Sequence, residues 1–405
     1  MTATRSRALF LRAFVIFAAA ACIPLWAAAA GAQTVPPNLA SLFQDIYGPN
    51  GLVVSSNQLL LDGSTHAAHF NSAFQSDFRL MNIAIAEQLT ALPIPSPASG
   101  FTYKFDPSTG TFVRSTSSFG PILADRGETI GRGRIAFGMN YQFFSFDQLD
   151  GTSLSSIPAV FRHDDYQTTP GRSDVIATEN TIQATVTQFT GALTYGLTNR
   201  IDISAAIPIV RTRLSLISNA TIERVGTGPE TDVHFFYDPA ALDTFGTSRQ
   251  YSSAGEAGGV GDVQLRLKGM VARGAHQALA TGVDVRLPTG DELNLLGSGA
   301  LGVRPFAALS ASYGRFAPHV NVSYQWNGKS VLAGDVQTGA KGDMPDQFQY
   351  AAGTDMRVNP KVSLVFDALG ERLMNSPRLT TFPFEATGPF GSVSLRDLQF
   401  TTASF

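Results

Sequence analysis

The residues of this chain able to do chemistry fall into one pattern. Arg134, Asn140, Gln142, Gln264, Arg266, Lys268, Asp284, Arg286, Arg304, His319, Asn321, Gln325, Gln347 and Gln349, with Asp355 and Asp367, sit in segments where polar and apolar residues alternate. Polar groups spaced by two share one face of an extended strand. Such a set can line a wet interior as an ion-pair lattice, a pore wall or a ligand cradle. Arg266 and Asp284 should face each other across a hairpin turning near 275. Nucleophilic catalysis fits poorly. Ser323 and His319 share a face, but four residues of strand hold them about 13 Å apart, and neither G-x-S-x-G nor H-E-x-x-H occurs. His66 with His69, and His163 beside Asp164 and Asp165, approach metal-ligand spacing without completing a set. No enzyme activity, metal or cofactor is expected.

The elements that position these residues read as antiparallel strands. Ile135, Phe137, Met139, Tyr141 and Phe143 alternate with Arg134, Ala136, Gly138, Asn140 and Gln142. Val263, Leu265, Leu267 and Val271 do the same against Gln264, Arg266 and Lys268, as do Val320, Val322, Tyr324 and Trp326 against His319, Asn321, Ser323 and Gln325. Over 181–195 the first half carries Thr, Gln, Ile, Ala and Val on both faces, so no face is assigned there. Four connections are tight, near 196–200, 273–277, 313–317 and 357–361. The rest are long and polar, at 147–179, 214–260, 288–299, 328–345 and 371–397. Alternating short and long connections around strands with one apolar face is the layout of an outer-membrane barrel. Tyr141, Phe143, Tyr195, Tyr313, Tyr324 and Trp326 lie near strand ends, where interfacial aromatics belong.

Composition agrees. The chain has 405 residues, 44% hydrophobic and 15% charged, with 38 Gly and 29 Phe. Its 29 Lys plus Arg against 32 Asp plus Glu leave no basic surplus for a nucleic acid. Residues 1–32 carry Arg5, Arg7 and Arg12, an apolar run from Ala13 to Trp26, and Ala30-Gly31-Ala32, the three parts of an export signal. Its removal takes away three arginines and no acid, moving the net charge from −3 to −6. Cys22, the one cysteine, leaves with it, so the mature chain can form no disulfide. No later segment has 18 continuous apolar residues, and a chain that spans lipid without helices must do so as a barrel.

Two amphipathic helices precede the strands. Asn38 can cap one bearing Leu39, Leu42, Phe43, Ile46 and Tyr47. A second, over 71–92, carries Phe74, Phe78, Met81, Ile85 and Leu89 on one face and stops at Pro93. Thr102–Phe105 and Thr111–Arg114 read as a small hairpin.

Several stretches resemble the MetA-pathway of phenol degradation family of bacterial outer-membrane proteins. They are Gly131-Arg132-Gly133-Arg134 with Phe137-Gly138 to Asp150-Gly151, Leu193 through Arg200, Val260-Gly261-Asp262-Val263, Arg286 through Glu292 with Leu295-Leu296-Gly297, Pro318 through Asn321, and Arg357 through Pro360. The resemblance spans most of 100–400. It implies a transporter-like role, and an N-terminal plug by analogy with hydrophobic-compound channels. It also implies that Leu398–Phe405 begins a strand which relatives continue, so that the last strands are missing.

The resulting expectation is an all-β chain: an antiparallel transmembrane β-barrel of about 10 to 12 strands over 129–405. A part-helical hatch over 33–128 and a signal over 1–32 precede it. The expected partners are outer-membrane lipid, the barrel assembly machinery and a small hydrophobic or aromatic ligand. Three rivals stand beside this: a structural or adhesion barrel with its interior packed shut, a non-functional truncated relative of the transporter, and a soluble secreted β-protein.

Overall fold

The computed structural model describes residues 38–47, 52, 54, 70–72, 74, 79–91, 101–108, 111–114, 124–163, 173–229, 233–236, 246–359 and 362–402. The expected signal, His66, His69, Phe78, Asp164 and Asp165 lie outside them. The strands in chain order are β1 Phe70–Asn71, β2 Phe101–Asp106, β3 Thr111–Arg114, β4 Arg134–Phe146, β5 Gln148–Leu149, β6 Thr152–Ser153 and β7 Ile157–His163. There follow β8 Val175–Gly196, β9 Ile201–Glu223, β10 Ser248–Val260, β11 Gln264–Arg273, β12 Gln277–Arg286, β13 Gly302–Ala311 and β14 Phe316–Asn327. The last are β15 Lys329–Asp335, β16 Ala340–Asp343, β17 Asp346–Asn359, β18 Val362–Met374, β19 Pro377–Gly388 and β20 Gly391–Thr402. Leu42–Asp45 and Arg79–Ala91 are helical.

One antiparallel sheet runs β18-β17-β14-β13-β12-β11-β9-β8-β4-β2-β3, with β10 on β9, β7 on β8 and β1 on β7. It curls into a half-barrel. Its end strands are β18 and β3, so among the described residues the expected barrel does not close. The four tight turns join β8 to β9, β11 to β12, β13 to β14 and β17 to β18. They define a turn end; the long connections gather at the opposite, loop end.

Most of the expected long connections carry strand: 147–179 holds β5, β6, β7 and the start of β8, and 328–345 holds β15 and β16. β9 continues to Glu223, and β10 pairs with it from Val260↔Ile209 to Ser248↔Thr221. Much of 371–397 is the β19–β20 hairpin, a sheet of its own, and Leu398 lies within β20, paired with Thr381. β10 is rich in Gly, Ala and Ser, and along β19 the apolar residues change phase between Leu379 and Phe382, so neither shows one continuous apolar face. Of the expected second helix, Arg79–Ala91 is helical, whereas Asn71, with Phe70, pairs as strand with Arg162 and His163 of β7.

The ambiguous strand over 181–195 resolves into a reversal of polarity along its length. In the turn-end part of β8, Phe189, Leu193 and Tyr195 point outward while Gln188, Thr190 and Thr194 are buried inward. In the loop-end part, Glu179 and Gln183 point outward while Ile182, Ala184 and Val186 are buried inward. β9 reverses at the same level. Ile201 and Ile209 are exposed outward, but Arg211 and Arg213 follow, both ion-paired with Glu256 of β10. Phe189 is registered opposite Ile209 and Thr187 opposite Arg211, so the two boundaries align. β4 agrees, with Phe137, Met139, Tyr141 and Phe143 outward, then Phe144 and Phe146 packed on the inner core. An apolar belt outside a polar interior is the arrangement of a strand pair in lipid; its inverse beyond the boundary is that of a strand pair in water.

Inside the loop-end half lies one large core. Leu39, Leu42, Phe43, Tyr47, Phe74, Met81 and Ile85 pack with Ile182, Val186, Leu214 and Leu216 of β8 and β9. Each such side chain contributes about 1.5 to 3 kcal/mol when fully buried, enough in sum to anchor the short helices. Tyr47 donates to or accepts from Ser218 Oγ at 2.7 Å and meets Phe161 and Tyr251 edge-on at 5.2 and 5.1 Å.

The belt makes a direct prediction. Val322→Lys, in mid-belt on β14, should destabilise the folded protein in lipid by about 2 to 4 kcal/mol, whereas Thr187→Lys on β8, at the boundary, should cost under about 1 kcal/mol. Urea unfolding in phospholipid vesicles measures the difference; equal costs would place the boundary elsewhere.

Candidate functional site

On the turn-end half of the sheet the inner face carries charge, and a segment from the N-terminal side crosses it. Residues 124–131 form a strap that touches six strands before the chain enters β4. Asp125 N–H donates to Asn321 Oδ1 at 2.8 Å, and Asn321 Nδ2 donates back to the Asp125 carbonyl at 3.0 Å, so the amide of β14 holds the strap as a strand would. Arg126 reaches Asp355 of β17 at 2.5 Å. Gly127 N–H donates to Ser310 Oγ at 3.0 Å, and Glu128 accepts from the same hydroxyl at 2.7 Å. Any side chain at Gly127 would overlap the Ala278 carbonyl of β12, which explains a glycine at this point of closest approach. Ile130 N–H donates to Asp202 Oδ2 of β9 at 2.9 Å.

The strap's Asp125 enters a relay of buried charges. Arg266 Nη1 and Lys268 Nζ donate to separate oxygens of Asp125, at 2.7 and 2.9 Å. Arg266 also holds Asp284 in a two-point pair at 2.6 and 2.8 Å, the cross-strand pair expected from the spacing. Arg304 of β13 shares Asp284 Oδ2 through Nε and Nη2 at 3.1 and 2.8 Å, and donates to Gln349 Oε1 at 2.9 Å, while Gln349 Nε2 donates to Gln347 at 3.2 Å. Nearer the loop end, Arg286 and Gln325 both donate to Asn327 Oδ1, at 2.8 and 2.9 Å. Buried charges of this kind are tolerated because each has a partner.

A second pair spans three strands. His319 Nε2 on β14 meets Asp367 Oδ1 on β18 at 2.6 Å, and β17 between them presents Gly353, where any side chain would fill the space the bond occupies. His319 is thus committed to Asp367, not to Ser323. Arg134, Asn140, Gln142 and Gln264 share the inner face, half-buried, but stand outside the relay. Of the expected hatch residues, Phe74, Met81 and Ile85 belong to the loop-end core. The helix Arg79–Ala91, which bears Met81 and Ile85, roofs the relay: Thr90, with Gln264, Arg286, Arg304 and Gln325, lines a cavity of about 10 Å³. Beside the strap lies a second cavity of about 50 Å³, bounded by Asp125, Arg266, Arg304, Phe306, Ser323 and Gln349 among others. It has room for a few waters.

The sequence motifs meet at a clasp beside this site. Where β10 gives way to β11, Thr289 Oγ1 donates to the Gly261 carbonyl at 2.8 Å and accepts from Val263 N–H at 2.9 Å. Asp262 accepts from Gly290 N–H at 3.0 Å and from Ser298 N–H and Oγ at 2.8 and 2.6 Å. The profile of the family described as "Putative MetA-pathway of phenol degradation" matches residues 163–369, half of the chain.

The chain belongs to this family.

No curated protein matches it. The phenol-degradation family match takes in β8 to most of β18, hence the relay strands and the clasp, and is narrower than the 100–400 over which the motifs resemble it. The strap, the helix Arg79–Ala91 and the β19–β20 hairpin lie outside the matched range. At the loop end, the rings of Phe70, His163 and His234 contact one another, Phe70 lying 5.3 Å from His163 and 5.4 Å from His234, and the two imidazoles 5.9 Å apart. His234 Nδ1 meets Asp174 Oδ2 at 2.6 Å. Burial would raise the Asp174 carboxyl, but hydrogen bonds with His234, Thr227 and Gly226 outweigh it and hold the group below its usual range.

The strap was not legible in the sequence, because 115–131 has no periodicity; the one signal was the acids Asp125 and Glu128 among glycines at 127, 131 and 133.

Glu87 on the roofing helix yields a pH prediction. Burial, reinforced by the nearby Glu371 charge, pushes its carboxyl from 4.5 up to about 8. The folded state therefore binds the extra proton between those values, and stability falls as pH rises across that window and is flat above it. Glu87→Gln should abolish this slope; unfolding midpoints at pH 5 and pH 8 measure it, and an unchanged slope would assign it to another group.

Proposed function

We propose that the protein is an outer-membrane passage for small hydrophobic or aromatic compounds, held shut in this structure by strap and roof. The carrying observation is the polarity reversal, which puts an apolar belt outside a charged inner face over one band of the sheet. Family membership supports a transporter-like role linked to aromatic degradation. In this reading the signal over 1–32 directs export, the loop end faces outward, the tight turns face the periplasm and 33–128 is the hatch. Arg266, Lys268, Asp284, Arg286, Arg304 and the glutamines of β17 line the path, binding and orienting solutes rather than reacting with them.

A structural barrel with a static interior is the second reading, favoured by the completeness of the charge relay and the smallness of the two cavities. The readings differ in flux. Gram-negative cells expressing the full chain, with the protein shown to be heat-modifiable in the outer-membrane fraction, should take up radiolabelled phenol and toluene several-fold faster than cells carrying an empty vector. Equal rates would sink the passage and leave the static barrel.

A further inference from the structure

The strands bring unequal charge to the relay. Around Asp284 they supply Arg266, Lys268 and Arg304, and both oxygens of Asp284 are already taken by the two arginines. Asp202 of β9, registered opposite Lys268, lies near but makes no ion pair with it, and the contact that the cations lack is supplied from outside the strands, by the strap's Asp125. Lys268 depends on it most: among the described residues its Nζ has no ion pair but the one with Asp125. Arg266 Nη1 and Lys268 Nζ, each on its own oxygen, form a two-point clamp for one carboxylate. Beside the clamp, the Phe306 ring lies 4.7 Å beneath the Arg266 guanidinium, and the cavity of about 50 Å³ that Asp125 borders adds Ala124, Ala351 and Leu369 as apolar walls.

A side chain that fills a carboxylate clamp from a strap held by exchangeable hydrogen bonds is a tethered occupant. We propose that the Arg266–Lys268 clamp is a binding site for small aromatic carboxylates and that Asp125 occupies it until such a solute displaces the strap. This rests on the passage reading and narrows its cargo: an anionic group is received by the clamp and an aromatic body by Phe306 and the apolar wall. Withdrawal of the strap without an anion would leave Lys268 buried with no ion pair and only the Asp202 carboxylate opposite it on β9, which is costly, so opening and carboxylate binding are coupled. A neutral aromatic compound lacks the group that compensates the clamp.

The test is calorimetric titration of the purified full-length protein in detergent with benzoate, and with benzyl alcohol as the neutral match. Asp125→Asn removes the tethered carboxylate and should tighten benzoate about tenfold, the effect of one charge-assisted hydrogen-bonded competitor, without changing benzyl alcohol. Adding Lys268→Gln should cancel the gain. Asn321→Ala, which loosens the strap while keeping every charge, should shift benzoate in the same direction and guards against a folding defect in the first variant. Unchanged or weaker benzoate binding in both Asp125→Asn and Asn321→Ala would overturn the proposal, as would equal tightening of both ligands, which would make the strap a steric block only. Flux into proteoliposomes separates the two readings. Benzoate that binds Asp125→Asn more tightly while neither compound crosses would sink the passage and keep the site; benzyl alcohol that crosses while benzoate titrates flat would do the reverse.

Discussion

What fills the interior is governed by one exchange: β4, β8 and β9 each swap their polar and apolar faces at a single level. Below it, apolar side chains point out and polar ones in; above it, the order is inverted. Everything inside the half-barrel follows. The loop-end interior is oily and takes the helices with Leu42, Phe43, Met81 and Ile85, whereas the turn-end interior is charged and takes a strap that bears Asp125, Arg126 and Glu128. The same N-terminal stretch of chain thus supplies two inserts of opposite polarity, each matched to the half it fills.

The charge relay holds position more than it stabilises. Taking several ions out of water costs about as much as their mutual attraction returns, so its value lies in the geometry it enforces: Asp284 ties β12 to both β11 and β13, and Asp125 ties the strap to β11. Removing one member would strand its partners, which is why the strap, though outside the sheet, is bound to it by more than contact. The clasp at Asp262 plays the corresponding part at the boundary, fixing the point where β10, which pairs with the loop-end half of β9, yields to β11, which pairs with its turn-end half.

How much of this the sequence disclosed depended on side-chain size. β11, β12 and β14 were plain because Leu, Val and Trp alternate with Arg, Lys, Asp and Gln, and the Arg266–Asp284 pair followed from that register. β10 was hidden because Gly, Ala and Ser leave little hydrophobic face to read, and the β19–β20 hairpin because its apolar residues change phase, Leu379 lying on one set of alternate positions and Phe382 and Phe384 on the other. The faces of β8 were unreadable for a different reason: a strand whose polarity inverts midway has no single period-two signature. The strap could not be anticipated at all, since its contacts run to residues 70 to about 230 positions away and its own composition marks it only as polar.

The bond between His319 and Asp367 passes over β17 through the gap left by Gly353. It therefore acts as a vernier on three strands at once. A slip of β17 by two residues would bring Ala351 or Asp355 beneath the bond, and either Cβ would obstruct it; a slip by one would turn Gln347 and Gln349 toward the belt. Among the many pairings open to strands rich in repeated small and polar residues, one alone lets the imidazole and the carboxylate meet. The missing side chain is the part of this interior that proofreads assembly.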